Sequence, residues 1–342
     1  MKHYRFLVPL MLLTLACVTG LGSHYFETAC ASRNVNREAT TDLVTPAPLI
    51  TLKPVPAAKP GGDPCLDRDG PLITLSGDFT APYRNTSLSP VTRIDARLGK
   101  WRSAGGIPFR IGGGANACVA GGEIIGNYSL DTPWDAMHDT YAIMIRGGLN
   151  YLLSEVRIHN YGDGVYIGGE NNDGFIVRGA YLSQIRDDAF QNDNGKSGLV
   201  EDCLVDSAYV AFSDQKYTAA SPDAVWEIRD NLVRLQVYEQ TYVIGKSGHG
   251  WFWKWDADGI KLSLHGNIFY AEAPSLHRNN KLWPEKVVSC KKADGSPDNI
   301  IVWGGTGPYP RPEELETGCF TLTTDRAVWN KAVAKWKSRH NR

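Results

Sequence analysis

Residues 155–167 read EVRIHNYGDGVYI and residues 180–191 read AYLSQIRDDAFQ, two strand-like runs in close succession. Similar runs stand at residues 203–212, 231–238 and 267–270. Their spacing is twenty-odd residues through most of the stretch, and no segment of helical length lies between them. Short apolar runs without connecting helices cannot form a sheet of βαβ units. The pattern therefore predicts an all-β fold, a right-handed single-stranded parallel β-helix in which each coil pairs with its neighbours.

Side chains alternate between the two faces of a strand, so each run also predicts which residues point into the coil. The polar members of a run are expected to point to solvent, and the apolar members are expected to fill the interior. We expect Val156, Ile158, Val165, Ile167, Leu182, Leu204 and Leu232 in the core, and Arg157, His159, Ser183 and Asp206 outside it.

Composition limits the size of the core and the kind of partner. The 342 residues are 42% hydrophobic and carry a formal net charge of -1, so the chain can bury a large core. Dense Lys and Arg runs are confined to the C-terminal end, and the charge therefore gives no reason to expect a nucleic-acid partner. Ten Trp and fifteen Tyr beside 35 Gly suit an extended β architecture with many tight turns.

The first residues have the features of an export signal. A basic start precedes the apolar run from Phe6 to Val18, which is too short and too lightly flanked for a membrane span. Residues 1–31 are therefore predicted to be a signal peptide and its flank, and we expect a secreted or periplasmic protein. Cys17 stands in a sequence similar to the lipobox of bacterial lipoproteins. A lipid anchor or an uncleaved signal anchor is thus the one membrane contact expected.

Three further segments follow the signal. Residues 32–64 are rich in Pro among small and polar residues and are predicted to be an extended linker. The β-helix domain is predicted over residues 65–318. Residues 319–342 are predicted to hold a short helix that starts at Asp325 and packs on the domain, with a membrane-binding face as the alternative. Its apolar stripe consists of Val328, Trp329, Ala332, Val333 and Trp336.

The cysteines suggest disulfide bonds. Removal of the signal would leave six of the seven, an even number in a compartment that permits disulfides. We expect the bonds Cys65–Cys118 and Cys290–Cys319. Cys203 lies in a strand-like run and is expected to be a small buried core residue.

The order of the runs resembles the pectin-lyase-like superfamily of right-handed β-helix proteins over roughly residues 90–275. Within it, the chain is similar to polygalacturonases, pectin hydrolases whose first catalytic motif reads Asn-Thr-Asp-Gly and whose second, one coil later, holds an Asp-Asp pair. Here YGDG stands at residues 161–164 and RDD at residues 186–188. GHG at residues 248–250 repeats the family's His motif at a different spacing, and GIK at residues 259–261 lacks the Arg of its Arg-Ile-Lys motif. The resemblance implies catalytic roles for Asp163, Asp187 and Asp188.

Electrostatics supports a role for these carboxylates. Aligning the two Asp motifs puts Asp163 and Asp187 at the same position of adjacent coils, about 4.8 Å apart. One pKa is then expected to rise toward the range of a general acid, unless Arg186 or a metal compensates. In an inverting glycosidase an acid protonates the leaving oxygen, and a carboxylate roughly 6.5–9.5 Å away activates water. By resemblance Asp188 would be the acid and Asp163 or Asp187 the base; the alternative is a structural role in a turn.

A second hypothesis uses the same scaffold for a polysaccharide lyase or epimerase. Such enzymes abstract a proton beside a uronic-acid carboxylate and need a cation, typically Ca²⁺, to neutralise that group. Asp193 would then join the three Asp residues as a metal ligand, and Arg157, His159 or Arg186 would lie near the proton. Hydrolysis implies no cofactor.

Several other residues are expected to bind a polysaccharide. Gln191 and Asn192 would contact sugar hydroxyls at the rim of the site. Trp251, Trp253 and Trp255 share one face of a strand, which is a platform for sugar rings if exposed and a hydrophobic strand under a loop if not. A third hypothesis is a non-catalytic surface protein that binds carbohydrate. The candidate substrate-binding residues are Arg157, His159, Arg186, Gln191, Asn192, Trp251, Trp253 and Trp255.

Overall fold

The computed structural model of the chain describes residues 62–103, 106–129, 131–169, 171–215, 220–240, 246–256, 259–275 and 286–341. The predicted signal peptide, the Cys17 anchor and nearly all of the predicted linker lie outside the described residues. Among the residues described, no helix has both the length and the apolar content needed to cross a bilayer.

The chain folds as a right-handed parallel β-helix with a short C-terminal helix, as the repeat predicts. A 3-10 turn spans Trp134–Ala136, and the α-helices are α1 (Pro312–Glu316) and α2 (Arg326–Arg339). In chain order the strands are β1 (Leu72–Phe79), β2 (Tyr83–Leu88), β3 (Arg93–Ser103), β4 (Phe109–Gly113), β5 (Cys118–Ala120), β6 (Glu123–Gly126), β7 (Tyr141–Arg146), β8 (Leu152–Ser154), β9 (Arg157–Tyr161), β10 (Asp163–Gly168), β11 (Phe175–Arg178), β12 (Tyr181–Gln191), β13 (Gly198–Glu201), β14 (Leu204–Asp214), β15 (Val225–Arg229), β16 (Leu232–Leu235), β17 (Tyr238–Gln240), β18 (Lys246–Gly248), β19 (Trp253–Trp255), β20 (Lys261–His265), β21 (Ile268–Ala271), β22 (Val287–Ser289), β23 (Asn299–Trp303) and β24 (Phe320–Thr323).

Three parallel ladders make up the wall of the helix. The first face stacks β5, β8, β11, β13, β15, β20 and β22. The second stacks β6, β9, the first halves of β12 and β14, then β16, β21, β23 and β24. The third stacks β2, β4, β7, β10, the second halves of β12 and β14, and β19. The second face thus extends past the predicted domain end at Gly318, and the corner between the second and third faces lies within β12 and β14.

A column of stacked aromatic rings fills the interior beside the third face. Parallel register places Phe190 beside Phe212 and Phe212 beside Trp253, with ring centroids 5.6 Å apart in both contacts. This distance is typical of favourable aromatic packing. Trp251 and Trp255 are buried as well. The predicted sugar platform of Trp251, Trp253 and Trp255 is therefore wrong, and these rings belong to a hydrophobic strand.

The core register follows the prediction in the early coils and is shifted by one residue in two later coils. Leu204 and Leu232 are buried outside the coil, beneath α2. The inward positions are taken by Val205 and Val233, which continue the ladder of Leu182. The remaining predicted core residues, Val156, Ile158, Val165, Ile167 and Leu182, lie in the interior.

Helix α2 covers the outward side of the second face, as the apolar stripe predicts. Trp329 and Trp336 are buried against Leu204 and Leu232 of the ladder below. The Asp325 side chain accepts a hydrogen bond from the Ala327 backbone N–H at 2.9 Å, which caps the start of the helix. The stripe therefore packs on the domain.

Both expected disulfide bonds are present. Cys65 is bonded to Cys118 and Cys290 to Cys319, while Cys203 is free and buried. Such bonds persist in oxidising compartments and are rare where thiols are kept reduced. The two bonds therefore indicate a non-reducing environment.

The end of α2 is held by a titratable group. His340 stacks on Trp336 and contacts Glu155 at 2.9 Å and Asp202 at 3.2 Å. Burial alone would lower the pKa of His340, but the hydrogen bonds to Asp202 and Glu155 outweigh it and raise the pKa to about 9. The charged form is therefore favoured in the folded state, and its contribution to stability is complete below the ordinary pKa of 6.5 and lost as the pH rises through about 9.

We expect His340→Gln to lower the free energy of unfolding by about 1 kcal/mol at pH values below 6.5, the upper range for a partly screened ion pair. The wild-type and variant proteins should converge above the raised pKa. Urea unfolding of both proteins, measured once below pH 6.5 and once above about pH 9, checks this. An equal loss at both pH values would contradict a role for the charge and leave only packing on Trp336.

Candidate active site

Three carboxyl groups meet at the corner between the second and third faces. Asp163 begins β10, and Asp187 and Asp188 lie at the bend of β12. One oxygen atom from each carboxyl group lies within 4.8 Å of the others. All three residues are buried, with exposed fractions of 1%, 5% and 0% in chain order. The structure thus brings together the three predicted catalytic residues, at a spacing shorter than the roughly 6.5–9.5 Å of an inverting pair.

The alignment of these residues differs from the prediction by one position. Val165 pairs with Phe190, and continuing this register places Asp163 opposite Asp188 rather than Asp187. The reason is a bulge between Ile185 and Asp188, where β12 carries an extra residue relative to its partner β14. The Asp188 backbone N–H also donates to Asp163 Oδ1 at 2.9 Å, which fixes the first carboxyl group to the second coil.

Lys254 supplies the positive charge of the cluster. Its Nζ atom lies 3.1 Å from Asp188 Oδ2 and 3.6 Å from Asp187 Oδ1. Burial would lower the pKa of this lysine, but the carboxylates, Asp188 first, hold it well above its usual range. Lys254 is therefore a firmly protonated partner and cannot act as a base.

The carboxyl groups differ in their readiness to ionise. Burial, followed by the charge of Asp188, raises the pKa of Asp187 to about 8 against the opposing effect of Lys254. Burial and then the charges of Asp187 and Asp188 raise the pKa of Asp163 well above its usual range. Asp188 forms the closest ion pair with Lys254. The raised pKa values of Asp163 and Asp187 favour their neutral forms beside the ion pair of Asp188 with Lys254, which is an arrangement suited to general acid chemistry.

A segment between β6 and β7 lies over the cluster. We call residues 127–129 and 131–140 the strap. Arg186 ties one end by donating from Nη1 to the Ser129 carbonyl at 3.0 Å and from Nη2 to the Thr132 carbonyl. Thr140 ties the other end, because its carbonyl accepts the Asp163 backbone N–H at 2.7 Å.

The middle of the strap contacts the carboxyl groups. Trp134 lies against Asp187 and lowers its pKa slightly against the larger effect of burial. Gly162 allows the strap backbone to lie close to the coil at Met137, since a Cβ atom at position 162 would lie 1.9 Å from the Met137 carbonyl oxygen. Arg186 is buried with its guanidinium taken by strap carbonyls. Its predicted role in contacting substrate is therefore wrong in this arrangement, and it positions the strap instead.

No family model, no curated protein and no solved structure matches this chain.

The residues predicted at the rim are buried and serve the fold. Asn192 closes a turn, since its Nδ2 donates to the Lys196 carbonyl at 2.8 Å. Gln191 Nε2 donates to Asp193 Oδ2 at 2.7 Å. Asp193 also accepts from Ser213 Oγ at 3.1 Å, and burial, then Asp188, raises its pKa to about 7. These residues do not form an open sugar-binding rim.

The cluster is a poor fit for a divalent cation. Three carboxylates at this spacing could supply ligands to Ca²⁺. The Lys254 ammonium group, however, lies 3.1 Å from Asp188 and already provides the positive charge there. A metal ion between the carboxylates would be repelled by it. Asp193, the predicted additional ligand, is not among the three clustered residues.

Arg157 and His159 lie elsewhere. They line a groove of about 490 Å³ on the outward side of the second face, together with Ser183, Gln184 and other polar residues. The clustered carboxyl groups are not part of its lining. The structure therefore separates these two predicted substrate-binding residues from Asp163, Asp187 and Asp188.

Lys254 is the functional candidate that sequence reasoning missed. Trp253 and Trp255 drew attention to the strand as a possible aromatic platform. Side chains alternate along a strand, so Lys254 is expected on the opposite face from Trp253 and Trp255. If the two rings point into the coil, this alternation predicts that Lys254 points out of it, which is the signal that could have identified it. The two family-like motifs are less informative, because Lys261 begins β20 on the first face and His249 is buried beside its own loop backbone.

Proposed function

We propose that this chain is an exported polysaccharide-active enzyme that hydrolyses glycosidic bonds with its paired Asp carboxyl groups. The supporting observation is the difference between Asp187, whose pKa is raised to about 8, and Asp188, which is ion-paired with Lys254. Asp187 is the general acid that protonates the leaving oxygen while the Asp188 carboxylate attacks the sugar carbon, because the carboxyl groups are closer than an inverting pair requires. Water, deprotonated by Asp187, then releases the sugar from Asp188 and restores both carboxyl groups. The polygalacturonase resemblance implies that Asp188 is the general acid, whereas this proposal gives that role to Asp187.

Access to these groups requires the strap to move. Asp163 and Asp188 have exposed fractions of 1% and 0%, and Trp134 lies against Asp187. A sugar ring cannot reach the carboxyl groups while the strap occupies this position. We propose that substrate binding displaces the strap, which admits the sugar ring and the water molecule that hydrolysis consumes.

The lyase or epimerase alternative has less support. It needs a cation on the uronate and an unprotonated base near the proton to be removed. Lys254 stands where the cation would bind and stays protonated because of its carboxylate neighbours. Both requirements are therefore poorly met by the clustered residues.

A non-catalytic carbohydrate-binding protein is the second candidate. It is favoured by the burial of all three carboxyl groups and by the separate open groove that Arg157 and His159 line. In that case the cluster would be a buried polar network of the fold. We also propose that the protein is secreted or periplasmic, which the disulfide bonds support.

One assay separates the three functions. The full chain is incubated with uronic-acid and neutral polysaccharides, with Ca²⁺ or with a chelator, and new reducing ends and the absorbance of unsaturated products are recorded. We expect reducing ends that do not depend on Ca²⁺, without that absorbance. Ca²⁺-dependent absorbance would identify a lyase, and retention on a polysaccharide column without either signal would identify a binding protein.

A further inference from the structure

The last coils of the β-helix bring a serine, a histidine and an aspartate together on the outer surface. His265 ends β20, Ser289 ends β22 and Asp298 directly precedes β23. The Ser289 Oγ atom lies 2.9 Å from His265 Nε2, and His265 Nδ1 lies 2.9 Å from Asp298 Oδ2. A serine on one ring nitrogen and a carboxylate on the other is the order of contacts in the Ser-His-Asp triad of serine hydrolases. Such triads are recognised by this geometry and occur on unrelated folds.

The hydrogen-bonding chemistry of the three groups fixes the direction of proton transfer. An ionised Asp298 carboxylate can only accept, so His265 Nδ1 carries the ring proton and donates it. The neutral imidazole then accepts at Nε2, and the Ser289 hydroxyl is the donor in that contact. The arrangement therefore selects the tautomer in which His265 can take the Ser289 proton as a general base.

A β-bulge turns Ser289 toward the histidine. Strand β22 contains one residue more than the facing segment of β20, because Val288 has no partner between the paired positions of Val287 and Ser289. In regular alternation Ser289 would share the inward side of Val287, which packs against the core. The bulge instead sets Ser289 opposite Ser263, on the outward side that His265 also occupies. Bulges are often found next to active sites, where they redirect a side chain.

One buried asparagine holds the backbone beside all three residues. Asn299 directly follows the aspartate, and its Nδ2 atom donates to the carbonyl of Leu264, the residue before the histidine, at 3.1 Å. The same Nδ2 atom contacts the carbonyl of Cys290, the residue after the serine, at 3.5 Å. Cys290 is also bonded to Cys319. The three side chains therefore project from fixed backbone, which is the preorganisation that a catalytic site needs.

Ser289 is open to an incoming substrate. It is exposed, whereas the side chains of His265 and Asp298 have exposed fractions of 26% and 22%. The neighbouring Val288 is exposed at 54% and offers an apolar contact. A long acyl chain would need an enclosed apolar pocket to bury it. An exposed serine with a valine beside it therefore suits a short acyl group.

We propose that Ser289, His265 and Asp298 form a second active site, which hydrolyses carboxylic esters with short acyl groups. It is separate from the proposed glycosidase, because the carboxyl cluster lies between the second and third faces and Ser289 lies on the first. This activity therefore does not depend on the cleavage of a polysaccharide.

The reaction takes place in two steps. In the first, Ser289 Oγ attacks the ester carbonyl carbon while His265 Nε2 takes the hydroxyl proton. The bond from that carbon to the alcohol oxygen then breaks, and the alcohol leaves with the proton from His265. In the second, water attacks the acyl group on Ser289 and gives a proton to His265. The carboxylic acid leaves as Ser289 Oγ takes this proton back, and Asp298 stabilises the charged imidazole throughout.

A fluorophosphonate probe tests the assignment, because it bonds covalently to a serine whose proton is removed by a neighbouring base. We expect the full chain to carry one adduct, on Ser289, in peptide mass spectrometry. Ser289→Ala should remove the adduct, and His265→Gln should slow its formation by about 10²–10⁴-fold, the effect of losing a general base. Ser263→Ala is the control, because Ser263 is the serine opposite Ser289 in the strand pairing and should not affect labelling.

Hydrolysis of 4-nitrophenyl acetate gives the second measurement. We expect kcat/KM to fall by about 10²–10⁴-fold in His265→Gln, at least as far in Ser289→Ala, and not at all in Ser263→Ala. Asp298→Asn should lower kcat and leave KM unchanged, because the amide N–H donates to Nδ1 and the ring proton then occupies Nε2. The octanoate ester should be a poorer substrate than the acetate.

Two results would overturn the second active site. One is a wild-type chain that the probe does not label at Ser289, and this result needs no variant to fold. The other is ester hydrolysis that Ser289→Ala leaves unchanged, since that rate would come from scattered nucleophilic side chains. A faster rate on the octanoate ester would overturn the short acyl group.

Discussion

Asp187→Asn is expected to lower kcat by about 10²–10⁴-fold on whichever polysaccharide the wild-type chain hydrolyses. The amide cannot give a proton to the leaving oxygen, although it keeps the size of the carboxyl group. Asp78→Asn is the control, because Asp78 is a highly exposed carboxylate of β1. The measurement is the initial rate of reducing-end formation, with the melting temperature recorded for both variants.

The same proton predicts the pH dependence of the wild-type rate. With a pKa of about 8, Asp187 is protonated at neutral pH and loses its proton as the pH rises through that value. The rate should therefore fall on the alkaline side near pH 8. The stability of the fold should also depend on pH. A pKa raised from 3.8 means that the folded state binds the proton more tightly than the unfolded state does. The free energy of unfolding should therefore decline as the pH rises from about 4 to about 8. This decline should be absent in Asp187→Asn.

A folded Asp187→Asn variant that keeps the wild-type rate would contradict the assignment of the general acid. A variant that loses activity together with its melting temperature would not test it. Thermal unfolding near pH 5 guards against this, since Asp187 is protonated there in the wild type and the amide resembles the neutral acid closely.

The fold could be predicted from sequence because its signal is local and repeated. Each run alternates apolar and polar residues, and the runs recur at a spacing of twenty-odd residues through most of the stretch. The inward register failed where alternation is ambiguous. Leu204 and Val205 are adjacent and both apolar. Val205 points into the coil, whereas Leu204 points to the outer surface and is buried there because α2 packs on it. The helix begins more than 120 residues after Leu204 in the chain, so the run itself carries no signal of this contact.

The sequence predicted which acidic residues form the site, but it did not predict how they are paired. Asp163, Asp187 and Asp188 cluster as the two motifs suggest, but the bulge in β12 exchanges the partner of Asp163. A bulge depends on pairing between strands, which the sequence of one strand does not reveal. Lys254 approaches from the coil after next, across β14. Contacts of this kind depend on the stacking order of the coils, and a motif search within one coil cannot find them.

Lys254→Met is expected to produce the largest loss of stability, about 3–5 kcal/mol in the free energy of unfolding at neutral pH. Methionine keeps most of the side-chain volume and removes the charge. Asp188, fully buried, then has no cation beside it, and Asp187 and Asp163 are within 4.8 Å. Lys100→Met removes an exposed ion pair to Glu123 and should change stability by less than about 1 kcal/mol. Urea unfolding of both variants gives the comparison.

The pH dependence of this loss identifies its cause. If the penalty is the unpaired charge of the carboxylates, it should shrink as the pH falls, because protons neutralise the groups that Lys254 no longer compensates. The double variant Lys254→Met, Asp188→Asn should recover part of the stability, and the two changes should be non-additive by about 0.5–3 kcal/mol. A Lys254→Met variant as stable as wild type at neutral pH would mean that the cluster is already neutral without the lysine. Asp188 could then not be the charged partner of Asp187, and the proposed division of roles between the two carboxyl groups would fail with it.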